Sequence, residues 1–283
     1  MGTFSAGTLY ALHVTREFSV LRWALMLFAV LFVDMGTTGF NSYFDFISGT
    51  DKASLNYEKD KVLVHEGVSP ISALLISVSL FAFAGILGII LASVTSFYLI
   101  AAGAISMGVG FLYTGGPFPI SRTPSGELFA GTFLGTVLFT LSYYVQTLSI
   151  SYQAVIVSVP YLLLIAMILT VNNTCDKKAD IEAGRKTLTI CISGRVNLVL
   201  LNLQMYGAYI LMIFLSFTSI VPQIVALTTA AALIPAHLTF TNMKRRGFSL
   251  KTKGSSMKSV SSLFLYFFAS FCTGIIIDLL LFK

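Results

Sequence analysis

Apolar residues run without alternation for about 20 positions at a time, and short polar connections separate the runs. About 20 residues of helix cross a hydrocarbon layer of roughly 30 Å. The continuity of the runs excludes a barrel, whose strands alternate between lipid and lumen. Backbone groups in lipid must be satisfied internally, so each run is predicted to be a helix. The expected spans are 19–41, 70–92, 95–113, 127–148, 152–172, 196–219, 221–241 and 259–282. Residues 1–14 are mildly apolar but too short to span, and read as the outer part of a further helix. The expectation is an all-α integral membrane protein: one membrane domain over 1–283, a bundle of about nine transmembrane helices with the first incomplete.

Composition agrees. Hydrophobic residues make up 56% of the 283 and charged residues 11%, against roughly 25% charged in soluble domains. Mean hydropathy is +0.86. The net charge of +6 would suit nucleic acid, but its placement points elsewhere. All Lys and Arg except Arg16, Arg22 and Lys283 fall on alternate connections: Lys52 to Lys61, Arg122, Lys177 to Arg195, and Lys244 to Lys258. The connections near 93–95, 148–152 and 219–222 carry no charge. This one-sided bias places the basic loops in the cytoplasm of a multi-pass plasma (cytoplasmic) membrane protein and leaves no role for nucleic acid. Chain orientation also accounts for the run from Lys244 to Lys258. Cys175, Cys191 and Cys272 show no metal-ligand spacing, and His13, His65 and His237 are scattered.

Against this background two acidic motifs stand out. In the first, Asn41 and Asp45 are four residues apart and share a helix face; Gly49 is suited to end that helix, and Asp51 follows on the turn. In the second, Asn172 and Asn173 precede Asp176 and Asp180, again one turn apart, and Gly184, Arg185, Lys186, Thr187 and Leu188 follow. Both motifs fall on the predicted cytoplasmic side, so folding can form one Asp-rich cavity facing the cytoplasm. Converging carboxylates and amides suit Mg2+, which binds through a few carboxylates, water and phosphate oxygens. Lys61, Arg185 and Lys186 could hold the remaining charge of a diphosphate. A solvated helix end accounts for one such motif, but two motifs facing one compartment favour chemistry.

The motifs resemble those of the UbiA-type prenyltransferase superfamily, and most closely its 1,4-dihydroxy-2-naphthoate polyprenyltransferase (MenA type) branch. The branch pattern N-x-x-x-D-x-x-x-G-x-D is met by Asn41, Asp45, Gly49 and Asp51. The pattern N-N-x-x-D-x-x-x-D-x-x-x-G-[KR]-x-T-L is met by Asn172, Asn173, Asp176, Asp180, Gly184, Arg185, Thr187 and Leu188. Tyr113 to Pro117 and Ser142 to Thr147 match as well. The resemblance implies an intramembrane transferase in the lipid bilayer. It would join a polyprenyl diphosphate to 1,4-dihydroxy-2-naphthoate with loss of carbon dioxide and diphosphate, giving demethylmenaquinone. Asn41, Asp45, Asp176 and Asp180 would be the catalytic set, with Asp51 added as a metal ligand. This chain departs from the pattern at Ser42, where many members have Asp, and at Cys175, where many have Arg; Lys177 or Lys178 could replace the missing charge.

Three residues are acceptor-binding candidates. Asp34 lies inside a span on the face of Asn41 and Asp45, where an ionisable group is a functional hypothesis by default. Tyr113 opens a Gly-Gly-Pro turn that permits close approach, and Asn173 belongs to the second motif. Tyr143, Tyr144 and Gln146 are expected in the ordinary aromatic belt, and Asp278 is expected in water. Two alternatives stay open: the same chemistry on another aromatic acceptor, or a non-catalytic transporter or lipid-binding protein on the same fold.

Overall fold

The structure is a computed structural model that describes residues 1–49 and 69–281. Among the described residues it is all-helical. In chain order the helices are α1 (Gly2–Thr15), α2 (Val20–Ile47), α3 (Pro70–Ser93), α4 (Tyr98–Thr114), α5 (Gly126–Thr147), α6 (Tyr152–Glu182), the one-turn α7 (Leu188–Cys191), α8 (Gly194–Phe217), α9 (Gln223–Arg246) and α10 (Lys253–Leu281). Seven of them are long and apolar enough to cross a membrane: α2, α3, α5, α6, α8, α9 and α10, the last counted with the 3-10 turn Leu250–Thr252. The protein is a multi-pass membrane protein.

Helix ends follow local chemistry. Ser19 caps α2 by accepting from the Arg22 amide, and Ser193 caps α8 by accepting from that of Val196. Pro70 opens α3 at a position that needs no amide proton. α2 and α6 continue past the apolar runs at 19–41 and 152–172, so that Asn41, Asp45, Asp176 and Asp180 all lie on regular helix. In α5 the stretch Gly131–Val137 is π-helical.

The described chain divides into two compact units. Unit 1 comprises Met1–Phe18, Pro124–Lys178 and Thr187–Lys283. In it α1 packs on α5 and α10, and α9 packs on α8 and α10. The core is aromatic: Tyr161 on α6 stands 5.1 Å from Phe267 and 5.4 Å from Phe139, centroid to centroid. The π-helical stretch approaches α6 closely, since a Cβ on Gly135 would stand 2.6 Å from the Cα of Leu162. Buried hydroxyls find acceptors, Tyr10 on the Ile220 carbonyl at 2.9 Å and Tyr209 on that of Leu263 at 2.8 Å.

Unit 2 comprises Ser19–Thr123 and Ala179–Lys186. Here α2, α3 and α4 pack pairwise. Phe40 sits edge-on to Phe81 at 5.0 Å and to Phe111 at 5.2 Å, and Phe44 meets Phe111 at 5.6 Å. These rings fix the rotation of α2 at the first acidic motif.

Two sequence expectations change. Tyr143 and Gln146 are buried, not part of an outer belt, because Tyr143 packs against Tyr10 of α1 at 5.6 Å. Asp278 is mostly shielded from water, with an oxygen 3.1 Å from His13 Nδ1 and 3.6 Å from Arg16.

Candidate active site

In unit 2, Asn41 is half-buried beside the end of α4, and its Oδ1 accepts from the Thr114 hydroxyl. Asp45 lies one turn further along α2, also half-buried. Ser48 and Gly49 then close the helix, Gly49 with φ of 67°. Tyr113 is half-buried next to Thr114, and Gly115 is buried under the Phe44 ring, where a Cβ would stand 2.7 Å away. Asp34 is exposed on α2, about three turns before Asp45.

The end of the second motif belongs to the same unit. α6 stops in a Schellman turn: the Gly184 amide donates to the Ile181 carbonyl at 3.1 Å and the Arg185 amide to that of Asp180 at 2.9 Å. Gly184 takes φ of 69°, left-handed backbone that costs glycine little. The turn folds the Arg185 side chain back onto the buried Asp180, where Nη1 stands 3.0 Å from Oδ1. Nη2 donates to the Ser121 carbonyl at 3.0 Å, and the Lys186 amide to that of Arg122 at 2.9 Å. Unit 2 thus contains Asp34, Asn41, Asp45, Tyr113, Asp180, Arg185 and Lys186.

Unit 1 contains Asn173 and Asp176 on α6. Asn173 is buried; its Nδ2 donates to Glu127 Oε1 at 2.8 Å, and its carbonyl accepts from Thr189 of α7 at 3.2 Å. Asp176 Oδ2 is paired with Lys253 Nζ at 2.7 Å. Its Oδ1 is buried with no hydrogen-bond partner among the described residues. Lys177 donates to the carbonyls of Thr189 at 2.6 Å and Ile192 at 3.4 Å. Asp51 and Lys61 lie outside the described residues. Among the described residues no three His, Cys, Asp or Glu side chains converge as a metal cluster.

Sequence reasoning left Glu127 unassigned and placed Lys253 among the topological charges. The signal for Glu127 was there: a lone acid opening an apolar helix that buries it needs a partner. Nothing local in sequence distinguishes Lys253 from its basic neighbours.

These features define a polytopic helical protein with buried and half-buried carboxylates and carboxamides at helix ends. The UbiA prenyltransferase family model matches residues 1–274. The chain belongs to the UbiA prenyltransferase family, and so to the aromatic prenyltransferases of membranes. It is 34% identical over 212 residues to the 1,4-dihydroxy-2-naphthoate octaprenyltransferase of Bacillus subtilis, covering 75% of this chain and 68% of the relative. Its fold is that of solved UbiA homologs. The one from Aeropyrum pernix K1 superposes with a TM-score of 0.70 at 18% identity, covering 98% of each chain. That from Archaeoglobus fulgidus, bound to DMAPP and Mg2+, gives 0.65 at 14% identity, covering 97% of this chain and 94% of the other.

Proposed function

We propose that the protein transfers a polyprenyl group from polyprenyl diphosphate to 1,4-dihydroxy-2-naphthoate, with Mg2+ as cofactor and the reaction on the cytoplasmic side of the plasma membrane. The match to the B. subtilis octaprenyltransferase carries the choice of acceptor. The A. fulgidus homolog with DMAPP and Mg2+ supports the donor and the metal, and the basic connections support the sidedness.

The residues present fit the metal. Mg2+ asks for one or two carboxylates, with water and substrate phosphate completing its shell. Asp176 has an oxygen that is buried with no hydrogen-bond partner among the described residues; Asn41, Asp45, Asp51 and Asp180 are the further hard oxygen donors that this reading would assign to the ion. When bound, the ion supplies Lewis-acid neutralisation of the departing diphosphate.

The protein's own groups do the rest. Arg185 holds Asp180 in one orientation, and Glu127 orients the Asn173 carboxamide. Lys61 and Lys186 hold diphosphate oxygens, with Arg185 close by. Asp34, Tyr113 and Asn173 receive the acceptor. The apolar helices take the prenyl tail and keep water from the allylic cation. The C–O bond to diphosphate breaks with its electron pair on oxygen, and an electron-rich ring carbon forms the new C–C bond. The ring proton and the carboxylate, as carbon dioxide, are lost, and a proton takes the carboxylate's place. No oxidant enters, so the product is released at the quinol level.

The test is turnover by the full chain in liposomes given a polyprenyl diphosphate, 1,4-dihydroxy-2-naphthoate and Mg2+. Equal release of diphosphate and carbon dioxide with a prenylated naphthoquinol is the expected result. Turnover only with a different aromatic acceptor would reassign the substrate. No diphosphate release with any acceptor would remove the enzymatic reading.

A further inference from the structure

Lys253 Nζ pairs with Oδ2 of Asp176, whose Oδ1 is buried with no hydrogen-bond partner among the described residues. It opens α10, 77 residues along the chain from Asp176, yet the pair closes at 2.7 Å. The side chains are only 18% and 14% exposed. The other cations near this motif are placed differently. Lys177 is turned to two backbone carbonyls, and Arg185 is bound by its planar fork to Asp180 and the Ser121 carbonyl. An ammonium on a four-carbon stem is a point charge that can change partners by rotating, unlike a clamped guanidinium. A carboxylate held on one oxygen by an ammonium, with no partner on the other among the described residues, is poised for a harder cation.

We propose that Lys253 occupies Asp176 in place of a divalent cation between turnovers, and that metal binding releases it to grip a diphosphate oxygen. The inference rests on the proposed function and adds a diphosphate-binding residue to it. The exchange keeps the local charge balanced. One positive charge covers Asp176 when the site is empty. When substrate arrives, metal covers the carboxylate and the freed ammonium meets the incoming anion. It also makes metal and diphosphate binding mutually reinforcing, because each removes a cost from the other.

The test uses the full chain in nanodiscs, with Mn2+ and inorganic pyrophosphate as probes. In Lys253→Met, Mn2+ alone should bind roughly five- to twentyfold more tightly, because its competitor is gone, while pyrophosphate with Mg2+ should bind at least about tenfold more weakly. A purely structural lysine would not move these affinities in opposite directions. Unchanged or weaker Mn2+ binding, or unchanged pyrophosphate binding, overturns the exchange. In the unmutated protein, Mg2+ should speed acylation of Lys253 by an amine reagent, read by peptide mass spectrometry, and added pyrophosphate should slow it. This second measurement decides the matter if the variant does not fold; acylation indifferent to both additions overturns the proposal. Failure of the unmutated protein to bind either probe would instead count against the proposed function itself.

Discussion

At the residue scale, the second motif is held by partners outside it. Glu127 and Asn173 are 46 positions apart and buried together, joined at 2.8 Å. Glu127→Ala leaves the Asn173 amide donor buried without its carboxylate, costing about 1–3 kcal/mol. A lower melting temperature in detergent should show the loss, and turnover should fall by more than the folded fraction does. The acids differ in kind from this support. Asp45→Ala and Asp176→Ala should each reduce diphosphate release at least about a hundredfold with the far-ultraviolet helical signal intact, and retained activity would move the site elsewhere. The spacing of Asn41, Asp45, Asp176 and Asp180 is readable from the chain because period four is local. The Glu127–Asn173, Lys253–Asp176 and Asn41–Thr114 pairs are products of tertiary folding, and no local pattern encodes them.

At the element scale, hydropathy locates helices by where lipid must be faced, so it ends them where polar residues begin. α2 and α6 run on to Ile47 and Glu182 because nothing in Asn41–Ile47 or Asn172–Glu182 breaks a helix. Both endings are legible, since Gly49 and Gly184 lie just beyond them. At Gly184 a β-branched residue would be forced into left-handed backbone. Gly184→Val should cost about 1–2 kcal/mol and loosen Arg185 from Asp180, measurable as a lower melting temperature and weaker pyrophosphate binding. The π-helical stretch Gly131–Val137 was not legible, as no hydropathy period marks it. Inserting one residue after Leu138, in the regular α-helix that follows it, should turn the two ends of α5 by about 100° relative to each other. Glu127 and Tyr143 could then no longer meet Asn173 and Tyr10 together. The expected outcome is a protein that inserts in membranes but loses turnover, checked by membrane fractionation and product assay.

At the scale of the whole molecule, the sequence scores α3 and α6 as similar spans, with mean hydropathy of 2.7 and 2.6, yet 17% of the apolar window of α3 is buried inside the protein against 61% for α6. Hydropathy measures distaste for water and cannot tell lipid from protein as the alternative, so neither the two units nor the central place of α6 within its own unit was readable in advance. Removal of divalent ions by a chelator should abolish turnover while leaving the helical signal unchanged, and added Mg2+ should restore it. Melting of the helices on chelation would assign the metal a folding role instead. The division of the chain has a further consequence for biosynthesis. Ser19–Thr123 leaves the ribosome well before Ala179–Lys186, the piece that completes its unit. The early helices must therefore wait in the bilayer, unfinished, until α5 and nearly all of α6 have been translated. Throughout that interval the aspartate at 45 has no Asp180 to share its unit, and the nascent chain is open to quality-control proteases.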